Sequence, residues 1–66
     1  MKIHFIGIGG IGISGLAQYM QYKGHEVSGS DIKDTIITQK LRTLGIEVTV
    51  PHSADAIDNQ DLVVHS

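Results

Sequence analysis

Apolar positions fall in short runs, and their spacing changes from strand-like to helical and back along the chain. Lys2 to Ile8 carries Ile3, Phe5, Ile6 and Ile8 and runs straight into glycine. A run this short and this rich in Ile and Phe reads as a buried parallel strand. From Ile13 the period lengthens: Ile13, Leu16, Ala17 and Met20 fall at i, i+3, i+4 and i+7, one face of an amphipathic helix that Gly24 stops. "HEVSGS", residues 25–30, carries Val27 alone as a strong strand former, and it is placed as strand two because a helix of this length must return the chain to the sheet.

Helical spacing resumes at Ile37, Leu41 and Leu44, with Asp34 or Thr35 as the cap and Gly45 as the stop, predicting helix two over about residues 35–44. "IEVTV", 46–50, alternates apolar with polar and reads as strand three, ended by Pro51. "SADAI" offers a short helix capped by Ser53, and "DLVVHS" a fourth strand. The order βαβαβ(α)β predicts an α/β fold, a Rossmann-like doubly wound parallel sheet. Strand four in such a sheet lies beside strand one, at the switch point where ligands bind. The 66 residues therefore read as one partial domain, the first four strands or so of a nucleotide-binding unit.

The stretch between strand one and helix one is "GIGGIGISG", with glycines at 7, 9, 10, 12 and 15. Gly7, Gly9 and Gly12 satisfy G-x-G-x-x-G in the context that gives the motif meaning, after a strand and at the opening of a helix. The first glycine permits the tight turn, the second lets backbone approach a pyrophosphate, and the third allows helix and strand to pack closely. Gly10 widens the opening. A helix start leaves unpaired N–H donors and carries about half a positive charge, so a diphosphate can bind there without Lys or Arg. Ser14 adds a hydroxyl in the first turn that can donate to phosphate.

Asp31 lies nineteen positions after Gly12, at the end of strand two, where dinucleotide folds carry an acid that accepts from ribose hydroxyls. The competing role is a turn cap before helix two. The small residues Ser28, Gly29 and Ser30 are unusual in a buried strand and are expected to admit a ring or sugar beside the strand end. His52, in "PHS" after strand three, falls on the same rim and is a candidate for contact with a base or sugar. His4 and His65 fall within strands and are expected to pack.

Composition narrows the remaining classes. Five Lys and Arg against seven Asp and Glu give a net charge of −2, which argues against nucleic acid or an anionic membrane as partner. Glycines interrupt the N-terminal apolar run, so it reads neither as a secretory signal nor as a membrane span, and the cytoplasm is the expected compartment. There is no cysteine, and the four histidines lack metal-ligand spacing, so no metal site is expected. The acids are scattered and present no catalytic constellation.

Taken together, "KIHFIGIGGIGISGLA", "GHEVSGSD", "LGIEVTVPHSAD" and "DLVVHS" resemble the N-terminal domain of the Mur ligases, the amide-forming ligases of peptidoglycan synthesis, in their branch that acts on UDP-N-acetylmuramate. The resemblance covers essentially the whole chain, in the family's order and spacing. It implies a sugar-nucleotide site: Gly7, Gly9, Gly10, Ile11 and Gly12, with Ser14, around the diphosphate, and Ser30 and Asp31 near the uridine. It also places His52 on the rim and Ser66 in the turn after strand four. Ile13 stands where the family usually has methionine, a volume-conserving exchange. The implied activity is ATP- and magnesium-dependent addition of L-alanine to UDP-N-acetylmuramate, or of a peptide in the related recycling ligase. The chain has no G-x-x-x-x-G-K-[ST] loop and no amino-acid-binding domain, so by itself it is expected to bind no cofactor and to be inactive. The remaining domains of the same ligase would be its partners. The glycines and Asp31 are also compatible with an NAD- or FAD-binding module of an oxidoreductase or regulatory protein.

Overall fold

A computed structural model of the chain describes residues 1–53, 56, 57 and 59–65. Four strands and two helices alternate as β1 (Lys2–Ile6), α1 (Ile11–Tyr22), β2 (Glu26–Ser30), α2 (Ile36–Thr43), β3 (Glu47–Thr49) and β4 (Leu62–His65). All the strands are parallel, in the order β3-β2-β1-β4, so the fourth strand lies against the first, as the doubly wound pattern requires. Register sets Ile3 beside Val27 and Leu62, Phe5 beside Gly29 and Val64, and Gly29 beside Val48. Side chains alternate between faces along a strand, so these residues share one face and His4, Ser28 and Ser30 share the other with Glu47 and Thr49.

The first face holds the core. Ile3, Phe5, Val27 and Val48 cluster with Ile8, Ala17 of α1, Leu41 of α2 and Ile46, with Ile13, Met20, Ile37, Val50 and Val64 packed around them. Each large apolar side chain removed from water contributes about 1.5–3 kcal/mol, which is what sets this face against the helices. Leu16 departs from the expected stripe and is part-exposed, while Ser14 takes the inward position; Leu44 is also part-exposed, at the C-terminal cap of α2.

Strand and helix boundaries differ locally from the periodicity. Strand one ends at Ile6 rather than Ile8 because Gly7 takes φ +79°, outside the extended region. Helix one starts at Ile11, two residues before its apolar stripe, and α2 is capped by Thr35 rather than Asp34. The short helix expected over residues 53–57 involves positions 54 and 55, which lie outside the described residues, as does Ser66. His65 is exposed rather than packed. Among the described residues no helix is long and apolar enough to cross a membrane.

Candidate functional site

At the C-terminal edge of the sheet, residues 7–10 carry the chain from β1 to α1, and almost every loop amide is committed locally. Gly7 and Ile8 both donate to the carbonyl of Ser30, at 2.9 and 3.1 Å, and Gly10 donates to the carbonyl of Gly7 at 3.0 Å. Gly9 donates to Asp31 Oδ2 at 2.7 Å. The helix then begins without a side-chain cap on Gly10, and its first bond runs from Ser14 N–H to the Gly10 carbonyl at 2.7 Å. Ile11, Gly12 and Ile13 are the first helical residues, whose N–H groups have no carbonyl one turn back to bond. The donors for an anion are therefore those of the helix start, and the preceding loop amides lock its geometry.

The glycines separate into distinct roles once their surroundings are examined. A Cβ on Gly9 would lie 2.7 Å from Asp31 Oδ2 and 3.2 Å from the Thr38 methyl, so the space on that side of Gly9 is filled by Asp31 and by Thr38 of α2. A Cβ on Gly12 would meet nothing within 4 Å. Gly29 corrects the expectation of room for a ring or sugar: Ile8 fills that space, and a Cβ there would lie 2.7 Å from the Ile8 Cβ. Ser14 faces inward, its hydroxyl donating to the Ile11 carbonyl at 3.0 Å with the side chain buried.

Asp31 is neither a bare ribose acceptor nor a cap on α2. Its Oδ1 accepts from the following Ile32 N–H at 2.7 Å while Oδ2 holds Gly9. Ser30 and His52, expected on the same rim, do come together, with His52 Nδ1 and Ser30 Oγ 2.7 Å apart. They line a cleft of about 190 Å³ with Ile6, Ser53 and Ile57. Two residues back along β2, Ser28 Oγ lies 2.9 Å from Nδ1 of buried His4. Burial, reinforced by the positive charge of His52 when protonated and opposed by Glu47, holds the His4 imidazole below the ordinary histidine range. Below this pair a second, larger cavity of about 300 Å³ runs between Ser28, Glu47, Thr49 and the chain at Asn59 and Gln60.

Thr38 has no counterpart among the expected site residues. It is fully buried, its methyl would lie 3.2 Å from a Cβ on Gly9, and its one hydroxyl proton is shared between Asp34 Oδ1 and the Thr35 carbonyl, at 2.6 and 2.9 Å, while the oxygen accepts from Thr35 N–H. The signal present in the sequence was the T-x-x-T spacing of a capping box, which marks a helix start and does not by itself disclose contact with a distant loop. Asp34 is held below the usual carboxylate range by the Thr38 hydroxyl and by Arg42, whose guanidinium approaches to 2.8 Å. Among the described residues no three His, Asp or Glu side chains gather into a group able to hold a metal ion.

A parallel α/β sheet with a glycine loop between β1 and α1 and an acid just after β2 is the architecture of the Rossmann-like, doubly wound class. The chain belongs to the Mur ligase family: the profile of the Mur ligase family, catalytic domain, matches residues 2–66. It is 55% identical over 65 residues to UDP-N-acetylmuramate–L-alanine ligase of Campylobacter curvus, covering 98% of this chain and 15% of that protein. The same ligase of Helicobacter pylori is also 55% identical, with 98% and 14% covered. The fold superposes on the crystal structure of UDP-N-acetylmuramate-alanine ligase from Thermotoga maritima with a TM-score of 0.95 at 52% identity, over 98% of this chain and 15% of that one. The chain thus spans about 15% of the length of relatives such as the Campylobacter curvus ligase.

Proposed function

We propose that this chain is the UDP-sugar-binding, N-terminal part of a longer ligase that adds L-alanine to UDP-N-acetylmuramate in peptidoglycan synthesis. Its role is to hold the uridine diphosphate end while the muramate carboxylate is presented to the remaining domains. The observation that carries this reading is the uncapped start of α1, with open space at Gly12, on the C-terminal edge of the sheet of a Mur ligase family member. The N–H groups of Ile11 and Gly12 bind the diphosphate, supported by the helix dipole. Gly7, Gly9 and Gly10 shape the approach, and Ser14 braces the first turn. Ser30, Asp31 and His52 form the rim toward the uridine.

The chemistry belongs to the rest of the longer protein. There the carboxylate takes the terminal phosphoryl group of ATP, releasing ADP, and the amine of L-alanine then displaces phosphate to form the amide. ATP and magnesium are held by those further domains, and no step is assigned to a metal on this chain. The proposed setting is the cytoplasm, where UDP-sugars and ATP are available together.

The test is Gly12→Ala in the ligase that contains this chain. The added methyl has room in the free protein, so it obstructs only a ligand. KM for UDP-N-acetylmuramate should rise about tenfold, equivalent to about 1.4 kcal/mol, with KM for ATP unchanged. A change confined to ATP would contradict the assignment.

A further inference from the structure

Both oxygens of the half-buried Asp31 carboxylate accept from backbone. Its own N–H donates to the Thr49 carbonyl at 3.1 Å, fixing the residue against β3. Its Oδ1 accepts from Ile32 N–H at 2.7 Å, which sets the plane of the carboxylate, and its Oδ2 takes Gly9 N–H at 2.7 Å. That contact exists only because position 9 lacks a side chain, since a Cβ would fall within 2.7 Å of the same oxygen. The methyl of buried Thr38 would lie 3.2 Å from the same Cβ, and the capping box of Thr38 with Thr35 anchors it to the start of α2.

We propose that Asp31 is a positioning residue for the glycine loop: by gripping the Gly9 amide it fixes where α1 begins and so aims the N–H groups of Ile11 and Gly12. This role rests on the reading of that helix start as the diphosphate site and is separate from any contact of Asp31 with uridine. Gly7 and Ile8 are held by the Ser30 carbonyl at the end of β2 and Gly10 by the Gly7 carbonyl, so among the amides of residues 7–10 Gly9 is the one held by a side chain, that of Asp31. A charge-assisted hydrogen bond to a backbone amide is among the stronger polar contacts available to a fold.

The two possible consequences of this carboxylate have opposite signs, which makes the role testable. Coulomb repulsion alone predicts that removing Asp31 tightens binding of an anion nearby. Positioning predicts that removal weakens it. The probe is inorganic pyrophosphate, which has no uridine to confuse the two, followed by amide-resolved NMR on the 66-residue chain and on its Asp31→Ala and Asp31→Asn variants.

In the unsubstituted chain the Gly9 amide proton should exchange more slowly than in Asp31→Ala. Pyrophosphate affinity, read at the amides of residues 11–14, should fall about tenfold in Asp31→Ala. Asp31→Asn keeps an acceptor oxygen and should restore affinity to within about threefold of the original. Equal or tighter pyrophosphate binding by Asp31→Ala, or a Gly9 amide indifferent to that substitution, overturns the positioning role alone. Silence of the unsubstituted chain toward both pyrophosphate and UDP overturns the diphosphate reading and this role with it.

Discussion

The side chain of Ile8 rests on the bare Cα of Gly29, in the middle of β2, where any added Cβ would come within 2.7 Å of the Ile8 Cβ. Ile8 is fully buried, so it cannot retreat into solvent. Gly29→Ala should therefore destabilise the fold by about 1–3 kcal/mol, the usual cost of overpacking a well-filled core. Chemical denaturation provides the measurement. Truncation of Ile8 to alanine in the same chain should recover part of the loss, because it removes the colliding Cδ1 and Cγ1 and leaves only the Cβ contact; two additive losses would contradict the contact.

Gly7 and Gly12 should respond to alanine in opposite directions. Gly7 sits at φ +79°, and a side chain there costs about 1–2 kcal/mol of backbone strain. Gly12 lies in the first turn of α1 beside open space, and alanine should stabilise it by up to about 1 kcal/mol through helix propensity. Thermal unfolding of the two variants side by side should move the midpoint down for Gly7→Ala and hold or raise it for Gly12→Ala.

Much of the fold was legible because it depends on local spacing. The change of period at the glycines located the β1–α1 junction, and the alternation of elements placed β4 beside β1. The pairs His4–Ser28 and His52–Ser30 were not legible, because they depend on the register of β2 against β1 and on the path of the chain after β3. In "SGS" the expectation fails at Gly29 alone, where the space is taken by Ile8, twenty-one residues earlier; Ser28 and Ser30 line cavities, and each is paired with a histidine. Asp31 was found by its distance from the motif. Its hold on Gly9 became visible only once β2 and the loop were set together in space.

Acid should weaken this fold through His4. Its folded pKa lies below the unfolded value of 6.5, chiefly because it is buried, so the unfolded chain binds the proton more readily. Stability is then greatest above about pH 6.5 and declines as pH falls toward the lowered folded pKa. Proton NMR of the His4 ring should show a midpoint below the ordinary histidine value, and denaturation midpoints should drop between pH 7 and pH 5.5. A midpoint at or above the ordinary value would contradict the buried, neutral ring.

Thr38 fixes the start of α2 through its hydroxyl, which bonds Thr35 and Asp34, while its methyl lies on the side of the glycine loop. Thr38→Val keeps the shape but leaves Thr35 N–H without its acceptor, at a cost of about 1–3 kcal/mol. The same change removes the hydroxyl that chiefly holds the Asp34 carboxyl below its ordinary range, so that carboxyl should titrate at higher pH in the variant. Because Asp34 is depressed in the folded chain, the stability it contributes is present above its unfolded pKa and lost as pH falls through the folded one. That acid dependence should shrink in Thr38→Val, as followed by carboxyl NMR and denaturation between pH 5 and pH 2.

The most direct measurement of the central claim is an amide-resolved NMR titration of this chain with UDP-N-acetylmuramate, with UDP, and with NAD. The account predicts saturable shifts at residues 11–14, at Asp31 and at His52 with both uridine compounds and no matching response to NAD. A preference for NAD, or a folded chain whose amides ignore all three, would contradict it.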